Sequence, residues 1–153
     1  MKILVSACLL GENCKYSGGN NYNQAVCDFA RGHQVVLVCP EVLGGLPTPR
    51  CPAEIVQGVV TNKEGINVDR EFRAGAAKAL AIAKENGVEF AILQSRSPSC
   101  GVKEIYDGTF SGTKIPGQGV FVKMLMDEGI RVLDAGELPK IILKNEDGKC
   151  QSD

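Results

Sequence analysis

The stretch Val35-Val36-Leu37-Val38-Cys39-Pro40-Glu41-Val42-Leu43-Gly44-Gly45-Leu46-Pro47-Thr48-Pro49-Arg50 decides the fold reading. Four aliphatic residues run unbroken to a cysteine, and turn-forming residues follow. Such a run, closed by proline and glycine, reads as a buried strand. Cys39 and Glu41 then stand where the strand leaves its sheet, in a segment stiffened by Pro40, Pro47 and Pro49. The same plan occurs twice more. Ile3-Leu4-Val5-Ser6-Ala7 ends at Cys8, and Phe90-Ala91-Ile92-Leu93 leads through Gln94-Ser95-Arg96 to Ser97-Pro98-Ser99-Cys100-Gly101. A single cysteine at a strand end is most simply a small buried hydrophobe. Three strands that each deliver one, two of them beside proline with glutamate or serine, point to a site. If the strands are parallel, their carboxyl ends share the edge where open α/β sheets bind ligands.

Outward from these strands, the chain alternates strand and helix. A strand is expected over 2–7, then a glycine-rich turn region over 8–21 and a helix over 20–31 with Ala25, Val26, Phe29 and Ala30 on one face. Lys15-Tyr16-Ser17-Gly18-Gly19 reads equally as a ligand contact or a solvated turn. After the second strand comes a long loop over 39–54. A short hairpin is expected with arms at 57–60 and 66–68, followed by a helix capped by Asp69 and stopped by Gly87. The third strand, 89–94, opens a turn-rich loop over 95–117, long enough to suggest a lid or binding segment. A helix over 119–128, a strand over 130–133 and a closing helix over 138–144 complete the pattern. It predicts one three-layer α/β domain over 1–144, mainly parallel and flavodoxin-like or Rossmann-like, with a loose polar tail over 145–153.

Composition narrows the function classes. The 153 residues suit one domain with a proper core, and a net charge of −1 gives no bulk attraction to nucleic acid or membranes. No tract is long enough to span a bilayer, and the short apolar start is broken at Gly11-Glu12-Asn13, so a cytoplasmic setting is expected. Seven cysteines (Cys8, Cys14, Cys27, Cys39, Cys51, Cys100 and Cys150) form no Cys-x-x-Cys pair, and an odd, scattered set fits a disulfide framework poorly. Metal binding or chemistry is the better reading. The lone histidine, His33, falls in the turn before the second strand and suits a surface role. Cys27 reads as a packing residue inside its helix, and Cys150 lies in the tail.

Cys8, Cys39 and Cys100 together would present three thiolates, which select soft ions: zinc, copper(I) or an iron–sulfur cluster. A closed zinc site wants a fourth ligand that the sequence does not offer. A cubane cluster on three cysteines leaves one iron open as a Lewis acid. Glu41 and Ser97 would lie beside it as proton-transfer groups. Spacing alone does not choose among these metals. Gly44-Gly45 and Gly117-Gln118-Gly119 are not phosphate-binding fingerprints, lacking the strand-to-helix context.

Three segments carry a resemblance. Ser6-Ala7-Cys8-Leu9-Leu10-Gly11, then Cys39 through Arg50 with Ala53-Glu54, and Ser97-Pro98-Ser99-Cys100-Gly101 resemble the domain of unknown function 523 family, in its thiouracil desulfidase-like branch. The resemblance spans nearly the whole chain. It implies a [4Fe–4S] cluster held by Cys8, Cys39 and Cys100, with Glu41 and Ser97 as acid/base partners and Ser99 as a substitute for Ser97. It also implies a small thiolated base or thioamide as substrate, desulfurated by water without net redox change. Cys14 and Cys51 stand outside the family pattern. The competing expectation is a non-catalytic zinc- or cluster-binding module, a sensor or a sulfur carrier. For Glu41 the alternative to catalysis is a pairing with Arg50 that holds the loop.

Overall fold

The computed structural model describes residues 2–137. The closing helix expected over 138–144 and the polar tail lie outside them. Four parallel strands form the main sheet: β1 (Lys2–Ser6), β2 (Gln34–Val38), β5 (Phe90–Leu93) and β8 (Arg131–Asp134), in the spatial order β2-β1-β5-β8. Counted along the chain, that is the start of the 2-1-3-4-5 order of flavodoxin-like sheets. The expected parallel sheet is present, with each strand within about two residues of its predicted limits.

Aliphatic alternation on the central strand separates two cores. Ile3 and Val5 face one way and pack with Leu9, Val26, Ala30 and Ile92, beneath helix α1 (Gln24–Ala30). Leu4 faces the other way with Ala91 and Leu93, against Phe72, Ala76, Ala79 and Ala83 of α3 (Asp69–Asn86) and Phe121 and Leu125 of α4 (Val120–Asp127). Burial on both faces explains why the central strands β1 and β5 read as continuous apolar runs, whereas β2, expected as a buried strand, is an edge strand buried only at Val38 and exposed at Leu37. The result is the three-layer α/β arrangement that the sequence predicted.

Three expectations are corrected. The hairpin arms are β3 (Ala53–Val56) and β4 (Val59–Asn62), not 57–60 with 66–68. Gln57 and Gly58 both take positive φ, 50° and 81°, and so form the tight turn between the arms. The 66–68 segment forms no strand and pairs with β4 only as an isolated bridge, Thr61 with Asn67. Asp69 is not the cap of α3. Val68 holds that position, and the Asp69 carboxylate accepts the Val60 N–H instead (3.0 Å), tying helix to hairpin. Third, the loops after β2 and β5 are not wholly irregular. The first begins as a short helix, α2 (Pro40–Leu43), and the second contains a hairpin of β6 (Glu104–Tyr106) and β7 (Lys114–Pro116).

Candidate active site

Each predicted site residue sits at the carboxyl edge of the sheet, held there by local backbone chemistry. β1 runs directly into a 3-10 turn, Ala7–Leu10, that carries Cys8 and closes at Gly11 with φ of 101°. Cys39 is the extended residue before α2, and Pro40 begins the helix where its missing N–H costs nothing. Helix α2 lies backbone to backbone on α3. A Cβ on Gly44 would come within 2.0 Å of the Glu71 carbonyl oxygen, and one on Gly75 within 1.8 Å of that of Pro40. This close approach positions Glu41, the next residue after Pro40.

The third loop is clamped from both sides. The Ser97 Oγ accepts the N–H groups of Ser99 (3.0 Å) and Cys100 (3.1 Å). The carbonyls of Gly101, Pro98 and Ser99 in turn accept the N–H groups of Gly119, Val120 and Phe121, at 2.8, 2.7 and 3.0 Å. These are the orphan donors at the start of α4, so the helix and the cysteine loop satisfy one another. Gly119 has no room for a side chain, since a Cβ would lie 2.5 Å from the Ser99 carbonyl.

Glu41 is the centre of a network rather than half of a pair. Its Oε1 accepts from Arg50 Nη2 at 2.8 Å and Nε at 3.1 Å. Its Oε2 lies within hydrogen-bond distance of the hydroxyls of Ser99 (2.9 Å) and Ser97 (3.1 Å), whose oxygens are 2.9 Å apart, so two hydroxyl protons are shared among three contacts. The Arg50 side chain is 7% exposed and that of Glu41 14%. Arg50 also donates to the carbonyls of Cys14 (2.8 Å) and Pro47 (3.1 Å) and to the Thr48 hydroxyl (3.0 Å). One guanidinium thereby pins three segments. The Arg50 pairing that stood as the alternative for Glu41 is present on one carboxylate oxygen, and the serines occupy the other.

Cys14 joins Cys8 and Cys39, a placement that sequence reasoning missed. Its single thiol proton is shared between the Cys8 and Cys39 sulfurs. That bond, opposed by burial, pulls each of the two thiols down to about 7; the Asn21 amide (3.4 Å) helps at Cys8 and the Val42 N–H at Cys39. Hydrogen bonding to Cys39 and then Cys8 pushes the Cys14 thiol up. Cys100 is buried. Burial pushes its thiol up, against hydrogen bonds from Ser6 and Ser99.

Cys8, Cys39, Cys100, Glu41, Ser97 and Ser99 all line one cavity of about 470 Å³. Cys14, Arg50 and Cys51 share it. The hairpin layer supplies the facing wall through Glu54, Tyr106 and Phe110. Cys27 is absent from its lining. His33 is at the amino edge, half-buried against the Phe29 ring at 4.7 Å with Nδ1 bonded to the Phe29 carbonyl, in keeping with a role outside the site. Cys14 is six residues beyond Cys8 with no motif to mark it; Glu54 stood in the quoted motif without a role.

The cysteine donor set fits a cluster chemically. Three thiols line one cavity, and thiolates are the donors that soft metals and iron–sulfur clusters take. Among the described residues no three Cys, His, Asp or Glu side chains close around one ion-sized point. A cubane does not require that closure, because each thiolate binds a different iron.

The chain is thus an α/β protein with a flavodoxin-ordered sheet, a thiol-rich carboxyl edge and a buried acid–hydroxyl network beside it. The family model for 2-thiouracil desulfurase matches residues 3–137, and the chain belongs to that family. It is similar to the solved structure of the [4Fe-4S]-dependent thiouracil desulfidase TudS (DUF523Vcz), with a TM-score of 0.84 and 41% identity over 94% of this chain and 96% of that one. It is also 41% identical over 150 residues to the uncharacterized protein YbbK of Bacillus subtilis (strain 168), covering 92% of this chain and 99% of YbbK. No helix among the described residues is long and apolar enough to cross a membrane.

Proposed function

We propose that this protein is an iron–sulfur-dependent desulfidase that hydrolyses the carbon–sulfur bond of thiolated nucleobases such as 2-thiouracil. Cys8, Cys39 and Cys100 are its cluster ligands, and Glu41 with Ser97 its proton-transfer groups. The observation that carries this reading is the meeting, in one cavity, of three cysteines with the Glu41–Ser97–Ser99–Arg50 network. Family membership and the likeness to the [4Fe-4S]-dependent TudS support the cofactor and substrate class.

A [4Fe–4S] cluster on three thiolates supplies, when bound, an iron without a protein ligand, a Lewis acid able to polarise a thiocarbonyl. The chain's own residues manage water and protons. Arg50 holds Glu41 Oε1, which fixes the carboxylate rotamer and leaves Oε2 turned to the serines. Glu41 accepts a proton as water attacks the thiocarbonyl carbon. The new carbon–oxygen bond replaces the carbon–sulfur bond, sulfur departs as hydrosulfide, and no electrons are exchanged. Ser97 already accepts two backbone N–H groups, so its one hydroxyl proton is what it contributes, passed toward Glu41 or the departing group. Ser99, 1% exposed and bonded to Glu41, supports it from behind.

The test is Glu41→Gln, assayed for iron and sulfide content and for 2-thiouracil turnover on the same anaerobic preparation. The expected result is a full cluster with turnover down by about two orders of magnitude, the usual scale of general acid/base catalysis. Unchanged turnover with a full cluster removes Glu41 from the mechanism. A protein that binds zinc instead, and stays colourless after anaerobic purification, overturns the cofactor assignment.

A further inference from the structure

Glu54 is a second carboxylate at the cavity, and the mechanism leaves it unused. It is 9% exposed, in the middle of β3, opposite Thr61. Its Oε1 accepts two backbone N–H groups, from Gly108 at 2.9 Å and Phe110 at 3.1 Å. Both belong to the turn between β6 and β7, and both take positive φ, 94° and 57°. Gly108 has no alternative residue there, since a Cβ would meet the Ile55 carbonyl at 2.8 Å. Its second oxygen, Oε2, has no hydrogen-bond donor among the described residues. Glu54 lines the cavity, so a carboxylate oxygen without a protein donor is left to accept one from a ligand there.

We propose that Glu54 is a specificity-determining residue, whose Oε1 holds the Phe110 turn while Oε2 accepts the ring N–H adjacent to the substrate's thiocarbonyl. The proposal rests on the desulfidase reading above. Its chemistry is that of the thioamide unit: a thiolated pyrimidine carries C=S flanked by N–H, so one ring offers sulfur to the cysteine edge and a donor to the hairpin wall. Clamping by two backbone amides orders the carboxylate before substrate arrives, and the same clamp sets the backbone that carries Phe110, an aromatic cavity wall suited to the face of a planar base. A site built to accept an N–H rejects the analogue that lacks it, because the buried acceptor is then left unpaired.

The experiment compares 2-thiouracil with its 1-methyl and 3-methyl derivatives on the cluster-loaded enzyme and on Glu54→Gln. The amide's oxygen still serves Gly108 and Phe110, but its nitrogen offers a donor where an acceptor is needed. For wild type, methylation at one of the two nitrogens is expected to raise KM by at least about tenfold. For Glu54→Gln, KM for 2-thiouracil rises by a similar factor with kcat nearly unchanged, as for binding shared by ground and transition states. The penalty for that methyl group then largely disappears, while iron and sulfide content stay at wild-type level. Equal wild-type use of both methyl derivatives overturns the proposal, as does a variant that loses the same factor on all three compounds. Should the variant not fold, the wild-type series decides alone. A binding arm, calorimetry with uracil and its two N-methyl derivatives, needs no turnover. Absent desulfuration with selective uracil binding sinks the desulfidase reading and keeps Glu54; turnover without N–H selectivity does the reverse.

Discussion

The parallel sheet and the two hairpins face each other across the same cavity, yet they are held together by different physics. The sheet side rests on apolar burial: Ile3, Leu4, Val5, Ile92 and Leu93 are all fully buried, and the strands carry Cys8, Cys39 and the Cys100 loop out of that core. The hairpin side is assembled from polar pins. Glu54 holds the β6–β7 turn, Asp69 holds β4, and Asn62 Oδ1 accepts the N–H groups of Glu64 and Ile66 at 2.9 and 3.0 Å. Few of its residues are fully buried, Val60 among them. A rigid apolar platform suits ligands that must keep a metal group in place, and a pinned wall suits residues that select what enters. On the proposed function, chemistry belongs to the first region and discrimination to the second.

The largest expected effect breaks the sheet side. Changing Cys8, Cys39 or Cys100 to Ser is predicted to abolish cluster loading and turnover, read as iron and sulfide per chain and absorbance after anaerobic reconstitution. Cys27→Ser, in α1 and outside the cavity lining, retains both. Retention of a full cluster by any one of the three would remove that cysteine from the ligand set.

A glycine pair sharpens the comparison further. Gly75→Ala drives a methyl into the Pro40 carbonyl at the α2–α3 contact, which positions Cys39 and Glu41. Overpacking of this kind costs about 1–3 kcal/mol, so a lowered urea midpoint is expected together with reduced cluster content. Gly58→Ala, in the β3–β4 turn at φ of 81°, meets nothing within 4 Å. Its cost is backbone strain alone, roughly 1 kcal/mol, and cluster content is unchanged. If both glycine variants lose cluster equally, the division between platform and wall fails.

The same physical difference explains what was legible in the sequence. Aliphatic runs such as Ile3–Val5 and Phe90–Leu93 report burial directly, and Val35–Val38 reports a strand, though an edge one with Leu37 exposed, so the sheet, its parallel sense and the three edge cysteines could be read from residues alone. The hairpin arms could not. Their register follows from positive φ at Gln57, a residue with no strong turn signature, and from long-range pins such as Glu54 to Gly108. Asp69 before a helical pattern looks like a cap, and only the nearby Val60 N–H diverts it. Cys14 is brought to Cys8 and Cys39 by the Arg50 guanidinium bonded to its carbonyl, and by the Arg50 N–H bonded to the Tyr16 carbonyl at 2.7 Å. No local pattern encodes that reach across the cavity. Catalysis and the Arg50 pairing look like rival roles for Glu41 in a sequence, which does not show that a carboxylate has two separately occupied oxygens.

The smallest expected effect probes the polar pins through pH. Burial pushes the Asp69 carboxyl up, but the Arg73 hydrogen bond, the Val60 N–H and the Arg73 charge outweigh it and hold the group below its ordinary value of 3.8. A folded-state value below the unfolded one means that the proton binds the unfolded chain more readily. The stabilisation from Asp69 is therefore complete above about pH 4 and is lost as pH falls through the folded value. Asp69→Asn keeps an oxygen for the Val60 N–H but gives up the charged bond to Arg73, 2.6 Å long and half-exposed on the arginine side. The urea midpoint of the variant is predicted to lie modestly below wild type at pH 7, with the gap narrowing on acidification below pH 4. Turnover at neutral pH stays near wild type, because Asp69 reaches the cavity wall only through β4. A gap that is constant with pH would mean that the Arg73 pairing contributes nothing and that the helix–hairpin junction depends on the Val60 hydrogen bond alone.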